Sequence, residues 1–259
     1  MILDDIVAKT KIRVKRKYED KPLDELIKEV NNLDITFDYP FEKALKKDKI
    51  SFILEVKKAS PSKGLIVKDF KYLDIAREYE RIGASCISVL TEPDFFLGND
   101  NYLKEINNVV SIPTLRKDFI IDEYMIYEAK LLGAKAILLI CAILDEKTLK
   151  RFFDLGNSLG LSCVVEAHDK DEVLMAKRIG ARIIGVNNRN LKDFSVDVHN
   201  SIRYKDMVDD DTIFISESGI KTHDDIKVLE DNHVDAVLIG ESIVKADDKE
   251  KVLKDLRGY

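Results

Sequence analysis

The segment RIGASCIS (81–88) joins the end of an amphipathic helix pattern to the start of an apolar strand pattern through Gly-Ala. The same order recurs in LLGAKAIL (131–138) and in RIGARIIG (178–185). Glycine just past a helix can adopt the positive φ that turns the chain directly into the next strand. This small repeat predicts helix–strand units with short connections, and such units build a parallel sheet.

Eight short apolar runs continue this alternation through the chain. Several are almost continuously apolar, which is typical of strands buried on both faces of a parallel sheet. The predicted strands lie in ISFILEV (50–56), CISVLTE (86–92), PTLRKDF (113–119), AILLICAI (136–143), SCVVEA (162–167), IIGVNNR (183–189), TIFISES (212–218) and AVLIGES (236–242).

Amphipathic stretches separate these runs and carry helix-start signals. Asp122 can cap one of them, and Asp169 and Glu172 have the spacing of a capping box before another. A final helix is predicted around residues 247–257. Eight strand–helix repeats in about 250 residues favour a closed (β/α)8 TIM barrel, whereas no GxGxxG or Walker pattern supports an open doubly wound sheet.

The first 45 or so residues precede the first predicted strand and do not follow the alternation. The apolar positions within residues 3–7 predict a short helix, and Pro22 followed by an amphipathic stretch predicts a second one. We therefore predict a single barrel domain over residues 1–259, in which residues 1–47 form an N-terminal helical extension.

The composition favours a folded protein without an excess of positive charge. Its 259 residues include 42 basic and 48 acidic side chains, which give a formal net charge of −6. Duplex-binding proteins usually carry a basic excess, so we interpret the cluster KIRVKRK (11–17) as a solvated helix face. No run approaches the roughly 18 apolar residues that span a bilayer, and the N-terminus lacks a signal-peptide core. A soluble cytoplasmic protein without nucleic-acid or membrane partners is expected.

The cysteines and histidines do not indicate a metal site. Cys86, Cys141 and Cys163 lie in apolar segments without CxxC spacing, and we expect them to be buried, reduced thiols. The histidines are scattered singly among polar residues, a pattern that does not match metal-ligand spacing. They are His168, His199, His223 and His233.

Polar residues at the ends of the predicted strands are the candidates for function, because barrel active sites are built there. Glu55 and Lys57 alternate onto one face of the first strand, and we expect both at the barrel mouth. Lysines and carboxylates that converge on one rim can carry acid–base chemistry. The alternative interpretation is that these residues form a structural layer whose polar groups satisfy one another and have no catalytic role. The other polar strand ends are Arg116-Lys117-Asp118-Phe119, Glu166, Asn187-Asn188-Arg189, Glu217-Ser218-Gly219 and Gly240-Glu241-Ser242.

The glycines that follow the last two strands indicate a second feature. Gly219 and Gly240 would let backbone N–H groups approach an anion, and these two strands commonly supply a phosphate site in barrels. Either glycine alone is more often a simple turn, but the pair predicts phosphate binding.

The run EVKKASPSKG (55–64) closely resembles the first-strand motif of the indole-3-glycerol-phosphate synthase family. The motifs of the first, third and sixth strands are specific to this family, whereas many phosphate-binding barrels share the glycine motifs. The N-terminal helices match the family's extension, and Glu241 stands where some relatives have Ser. The further matches, in family order, are SVLTEPDFFLGN (88–99), LRKDFIIDEYMIYEA (115–129), GVNNRNL (185–191), SESGI (216–220) and LIGES (238–242).

The resemblance implies a step of tryptophan biosynthesis. In this step 1-(2-carboxyphenylamino)-1-deoxyribulose 5-phosphate cyclises, loses carbon dioxide and then loses water, which gives indole-3-glycerol phosphate. The resemblance implies a phosphorylated small-molecule substrate and a reaction that needs no cofactor and no metal. A monomer or weak homodimer is expected.

The resemblance also implies residue roles. Lys117 is similar to the family's general acid, and Glu166 is similar to the acid/base partner in dehydration. Lys57 is similar to the residue that contacts the substrate's anionic groups and exchanges acid roles with Lys117. The residues implied to orient these groups and bind the leaving hydroxyl are Glu55, Asn187 and Ser218. The other substrate-binding positions are Ser60, Pro61, Phe119, Arg189, Glu217, Gly219, Gly240, Glu241 and Ser242, with Pro61, Phe119 and Arg189 at the anthranilate end and Gly219, Gly240 and Glu241 at the phosphate.

Two other interpretations stay open at this point. One is a neighbouring phosphate-binding barrel enzyme, either an isomerase of the same pathway or a Schiff-base aldolase that uses Lys117. The first-strand motif argues against both. The other is a non-catalytic barrel that binds a phosphorylated metabolite, and the presence of both Lys117 and Glu166 argues against it.

Overall fold

The computed structural model describes residues 2–190 and 195–259, so Leu191 of the sixth-strand motif lies outside the described residues. Within this part of the chain, eight parallel strands close into a barrel, each paired with its neighbours in sequence and the last with the first. Every predicted run contains a strand, which confirms the (β/α)8 barrel. The strands are β1 (Ser51–Val56), β2 (Cys86–Leu90), β3 (Thr114–Lys117), β4 (Ala136–Ile140), β5 (Ser162–Ala167), β6 (Ile183–Asn187), β7 (Ile213–Glu217) and β8 (Ala236–Ile239).

Helices precede the barrel and connect its strands. A short antiparallel hairpin after β1, Ala59–Ser60 with Gly64–Leu65, was not predicted. A 3-10 turn, Cys141–Ile143, follows β4. The α-helices are α1 (Ile2–Asp20), α2 (Leu23–Asn31), α3 (Pro40–Leu45), α4 (Tyr72–Arg81), α5 (Asp100–Asn107), α6 (Glu123–Leu131), α7 (Glu146–Ser158), α8 (Lys170–Arg178), α9 (His199–Lys205), α10 (His223–Asp231), α11 (Glu241–Val244) and α12 (Lys249–Arg257).

The helix-to-strand repeat behaves as its glycines predict. Gly83, Gly133 and Gly180 have φ values of 89°, 86° and 80°, a region that L side chains rarely adopt. Asp122 accepts a hydrogen bond from the backbone N–H of Tyr124 and caps α6. The connections between helices and strands are therefore short, and the strands enter the barrel in order.

The N-terminal segment differs from the prediction in one respect. The first helix is not short, because α1 runs from Ile2 to Asp20 and passes through the basic cluster. Its buried residues Ile6, Thr10 and Val14 recur every four positions, which places one face of the helix on the barrel. The division into an extension and a barrel stays a prediction.

The interpretation of the basic cluster as a solvated face is only half right. Lys11, Lys15 and Arg16 are exposed, as predicted. Arg13 instead pairs with Asp118 at 2.7 Å, and Lys17 makes ion pairs with acidic residues of α5 and α6. A helix that packs on a barrel presents two faces, and this cluster extends over both of them.

The strands alternate between an inner and an outer apolar layer. On the inner face, apolar residues fill the lower barrel, and in β1, β3, β5 and β7 a charged residue stands two positions later at the mouth. Phe41 and Leu45 of α3 join this inner cluster. The inner pairs are Ile53 and Glu55, Leu115 and Lys117, Val164 and Glu166, and Ile215 and Glu217.

Among the described residues, no helix combines the length and the apolar character needed to cross a membrane.

Candidate active site

The carboxyl ends of the strands open into a cleft of about 760 Å³. Every residue that the sequence assigned to the site lines this cleft, so the structure brings the whole predicted set together. Their roles stay predictions. The set comprises Glu55, Lys57, Ser60, Pro61, Lys117, Phe119, Glu166, Asn187, Arg189, Glu217, Ser218, Gly219, Gly240, Glu241 and Ser242.

Lys117 lies at the centre of the charged groups. Its Nζ is 3.0 Å from Oε2 of Glu166 and 2.6 Å from Oε2 of Glu217, so three strands hold one ammonium between two carboxylates. The Lys117 side chain is 14% exposed and that of Glu217 is 2% exposed. The cation is thus shielded from solvent but open to the cleft.

Burial and mutual charge shift the pKa values of these three groups. Desolvation would lower the pKa of Lys117, but the nearby carboxylates outweigh it and raise this pKa. Desolvation would raise the pKa of Glu166, but Lys117 and His168 lower it. For Glu217, desolvation dominates and raises the pKa to about 7. Lys117 is therefore cationic and Glu166 ionised near neutral pH, whereas Glu217 is poised to titrate.

A glycine makes room for Glu217. A Cβ on Gly185 would collide with Oε1 of Glu217, and this oxygen has no hydrogen-bond partner among the described residues. Gly185 belongs to the sixth-strand run, where the sequence showed only an interrupted apolar pattern. Its position explains why a residue without a side chain stands inside that strand.

A second ion pair lies across the mouth on β1 and the residue that follows it. Nζ of Lys57 is 2.5 Å from Oε1 of Glu55, and both side chains are largely buried. The prediction that alternation points both into the mouth is confirmed. Gly240 lies against this pair, because a Cβ there would collide with Glu55 and stand 2.9 Å from Nζ of Lys57.

The ends of β6 and β7 are held by an inner amide. Nδ2 of Asn188 donates to Oγ of Ser216 at 2.9 Å and to the carbonyl oxygen of Ser218 at 3.0 Å. Ser218 has φ 70° and Gly219 has φ 88°, so the chain turns through two consecutive left-handed residues. A serine in this region costs conformational energy and persists only when its surroundings hold it. Asn188 thus shapes the turn from behind the cleft.

An aromatic pair forms part of the cleft wall, and the sequence identified only one of its rings. Phe96 lies against Phe119 with 5.9 Å between ring centroids. The carboxylate of buried Glu92 accepts hydrogen bonds from three backbone N–H groups, including that of Phe96. The motif SVLTEPDFFLGN held this signal, but a pattern alone does not show which phenylalanine faces inward.

The N-terminal helix also reaches the cleft. Ile2, Leu3 and Ile6 of α1 line it beside the residues of the barrel. Their apolar periodicity predicted a helix, but not the surface on which it packs. The first helix therefore contributes apolar surface to the site.

His168 is a neighbour of Glu166, although in the sequence it stands as a single histidine among polar residues. Its Nε2 is 3.2 Å from Oε1 of Glu166, and its Nδ1 is 3.0 Å from Oε2 of Glu172. The predicted capping box is half formed: Asp169 accepts from the backbone N–H of Glu172, but the Glu172 carboxylate accepts from the backbone N–H of His168. A histidine two positions after Glu166 was the available signal.

Arg116, one of the predicted polar strand-end residues, lies on the other side of the strand from Lys117. It is fully buried and donates to Asp100 and Glu128 at 2.7 Å, on the helices α5 and α6. Period-two alternation sends consecutive residues to opposite faces. Arg116 is therefore part of the outer layer and not of the cleft.

The cysteines are free and buried, as predicted. Burial raises the pKa of Cys163 to about 12, which keeps this thiol protonated. In the parts of the chain that the structure describes, no three His, Cys, Asp or Glu side chains are grouped as a metal ion requires. The absence of a cofactor stays a prediction.

A closed (β/α)8 barrel that holds two lysines among carboxylates at its mouth belongs to the class of barrel enzymes that perform acid–base chemistry on a bound substrate. Residues 3–256 match the family model described as "Indole-3-glycerol phosphate synthase". The chain belongs to the indole-3-glycerol phosphate synthase family. It is accordingly a carboxy-lyase of tryptophan biosynthesis.

Similar proteins carry the same name. A protein of Ruminiclostridium cellulolyticum is 56% identical over 222 residues, covering 86% of this chain and 85% of its own length. One of Endomicrobium trichonymphae is 56% identical over 223 residues, with 86% of each chain covered. Both are named indole-3-glycerol phosphate synthase.

Solved structures of other proteins share the fold. A chain of the Pyrococcus furiosus tryptophan synthase α2β2 complex has a TM-score of 0.61 at 14% identity, covering 81% of this chain and 98% of that chain. Thiamine phosphate pyrophosphorylase from Pyrococcus furiosus has a TM-score of 0.60 at 14% identity, covering 84% of this chain and 96% of that chain. At this identity, they support the barrel fold alone.

Proposed function

We propose that Lys117 is the general acid for the conversion of 1-(2-carboxyphenylamino)-1-deoxyribulose 5-phosphate into indole-3-glycerol phosphate. The proposal rests on one observation above all: the Lys117 ammonium lies between Glu166 and Glu217 at the mouth of the barrel. The carboxylates raise the pKa of Lys117, so that it carries its proton when the substrate binds. It donates this proton to the substrate carbonyl oxygen as the aromatic carbon attacks.

The electrostatics favour this role. Negative charge develops on the carbonyl oxygen during ring closure. A fixed ammonium in a water-poor cleft stabilises this charge more strongly than an ammonium in bulk water would. Loss of carbon dioxide then restores the aromatic ring, and loss of the hydroxyl as water completes the indole.

Glu166 is proposed to handle protons in the dehydration step. Its pKa is lowered because Lys117 and His168 outweigh its burial, so it is ionised and available as a base. Lys57 supplies charge for the substrate's anionic groups and exchanges acid roles with Lys117 in this step. Glu55, Asn187 and Ser218 orient these groups and bind the departing hydroxyl.

The two ends of the substrate are proposed to occupy different walls. Pro61, Phe119 and Arg189 surround the anthranilate ring, and the Phe96 ring extends this surface. Backbone N–H groups of Gly219, Gly240 and Glu241 receive the phosphate, which is anionic and suits glycine turns. Ser60, Glu217 and Ser242 complete the contacts.

A fluorescence assay for indole-3-glycerol phosphate tests the whole proposal. Purified chain and the anthranilate-bearing phosphorylated ketose are expected to give the indole signal without added metal or coenzyme. An absence of product would overturn the proposal. Trapping with borohydride separates the aldolase alternative, because a Schiff base on Lys117 would be reduced to a stable adduct. The cytoplasm as location and a monomer or weak homodimer as assembly are proposed with it.

Glu166→Gln is expected to lower kcat by about 100-fold, with KM changed by no more than about threefold. The substitution keeps the shape of the side chain but removes the titratable group, so the loss falls on the proton transfer. Steady-state kinetics measures both constants. A change in KM alone would show that Glu166 only binds substrate.

Inorganic phosphate is expected to compete with the substrate, raising the apparent KM at unchanged kcat. The backbone turns at Gly219 and Gly240 are proposed to bind a phosphate dianion, and free phosphate presents the same group. The measurement is initial rate against substrate at several phosphate concentrations, with chloride at equal ionic strength as control. Equal effects of phosphate and chloride would reject a phosphate site.

Competition is a sharper test than substitution of the glycines. A valine at Gly240 would displace Glu55 and Lys57, and one at Gly219 would meet Val196 and Val198 in a left-handed backbone. The increase in KM of roughly tenfold or more that is expected for either variant would therefore combine lost phosphate binding with a displaced ion pair or a strained turn.

A further inference from the structure

We propose that His168 is a positioning residue that holds Glu166 from the side opposite Lys117 and fixes the orientation of its carboxylate. The proposal rests on the role proposed for Glu166 above. His168 does not line the cleft, so it acts on the reaction through Glu166 and not on the substrate itself.

The two oxygens of Glu166 face different cations. Oε2 is 3.0 Å from Nζ of Lys117, and Oε1 is 3.2 Å from Nε2 of His168. The Glu166 side chain is 6% exposed, so neither contact is replaced by bulk water. With both oxygens engaged, rotation of the carboxylate would break one contact or the other.

A third residue holds the imidazole in place. Glu172 accepts from the backbone N–H of His168 at 2.7 Å, and the same oxygen is 3.0 Å from Nδ1 of the ring. Because Nδ1 faces this carboxylate, the ring presents Nε2 to Glu166. Among the described residues, Nε2 has no hydrogen-bond partner of good geometry, so the ring and Glu166 are joined as an ion pair at 3.2 Å. The ring is thus a fixed bridge between helix α8 and strand β5.

The surroundings of the ring favour its cationic form. Desolvation would lower the pKa of His168, but the contacts with Glu166 and Glu172 outweigh desolvation and raise this pKa to about 10. From the other packed elements, Asn200 of α9 donates to the carbonyl oxygen of His168, and the Cys141 thiol lies against the Glu172 backbone. These groups are neutral. Charges therefore alternate through the site in the order Lys117, Glu166, His168 and Glu172.

Two substitutions separate the contacts of the ring. His168→Asn places an amide N–H near the position of Nδ1 and removes the group that faces Glu166. His168→Gln places its amide N–H near the position of Nε2 and keeps an uncharged donor towards Glu166. The backbone N–H of residue 168 continues to donate to Glu172 in both variants, so the cap of α8 remains. Thermal unfolding checks that each variant is folded.

We expect His168→Asn to lower kcat about tenfold with KM within about twofold, a change equal to about 1.4 kcal/mol. His168→Gln is expected to keep kcat within about threefold of the unmodified chain, because it retains the donor. Both variants lose a cation beside Glu166, so the acid limb of the kcat–pH profile should move to higher pH by about one unit. A kcat and pH profile unchanged in His168→Asn would overturn the proposal, as would equal losses of kcat in the two variants.

The Glu166→Gln background distinguishes this proposal from the one on which it rests. If His168 acts through Glu166, adding His168→Asn to Glu166→Gln should lower kcat by less than about twofold further. An additional tenfold loss there would show that His168 acts elsewhere. If Glu166→Gln itself keeps normal kcat, the role of Glu166 fails. If only Glu166→Gln is impaired, the inference about His168 fails alone.

Discussion

Lys117→Met is expected to lower kcat by at least about 100-fold while the barrel stays folded. Lys117 is the proposed donor to the substrate carbonyl, and methionine has similar length but no proton and no charge. The raised pKa of Lys117 keeps it protonated throughout the neutral range, so the loss should persist at every pH where the chain is folded. Single-turnover measurement of product formation separates this loss from slow product release.

The charge balance of the site makes this variant testable. Without Lys117, Glu166 and Glu217 would face each other as buried carboxylates, and two such groups do not both ionise. The pKa of Glu217 is already raised to about 7, so we expect this residue to take up a proton and the fold to survive. Circular dichroism and thermal unfolding check that outcome.

Lys221→Met is the matched control, because Lys221 is an exposed lysine on the rim of the same cleft. It is expected to keep kcat within about twofold. A near-normal kcat in Lys117→Met would remove Lys117 as the general acid and leave Lys57 as the candidate donor.

The barrel and most of its mouth follow from local patterns in the sequence. A strand alternates its side chains, and the carboxyl ends of parallel barrel strands share one rim, so the sequence alone predicts that Glu55, Lys117 and Glu166 lie together. Each stands two positions after an inward apolar residue, and that period carries the prediction.

The residues that the sequence missed depend on contacts between elements. His168 carries no motif of its own, and its partners Glu166 and Glu172 are visible only when α8 packs on β5. Phe95 and Phe96 are adjacent residues of the same type, so the sequence does not show which ring faces the cleft. That is set by the loop, whose backbone N–H groups donate to the buried carboxylate of Glu92. Sequence patterns predict the direction of side chains within regular elements but not within such loops.

The basic cluster shows the same limit for charge. Composition predicted solvated lysines, but Arg13 and Lys17 pair with acidic groups that surround Arg116. Three cations thus meet three carboxylates between the N-terminal helix and the outer face of β3. The acidic members of this outer ion network are Asp100, Asp118 and Glu128.

Arg116→Met is expected to lower the free energy of unfolding by about 3–5 kcal/mol at neutral pH, because removal of one partner leaves buried charges without compensation. Arg116 is fully buried and also donates to the carbonyl oxygen of Met125 at 2.8 Å. The pKa of Asp100 is lowered because Arg116 and Lys17 outweigh its desolvation, so its contribution to stability is present above the ordinary Asp pKa and is lost as pH falls. In the variant, the acidic partners bind protons more readily.

The effect of Arg116→Met should therefore be smaller at about pH 4 than at about pH 7, and urea unfolding at both values measures it. Asp154→Asn is the control, since its i,i+4 pair with Lys150 is exposed and should contribute little at either pH. Arg116→Lys keeps the charge but loses the planar fork that reaches Asp100 and Glu128 together, so we expect an intermediate loss. A loss in Arg116→Met that is independent of pH would show that Arg116 stabilises the fold by packing alone and not by compensating the buried carboxylates.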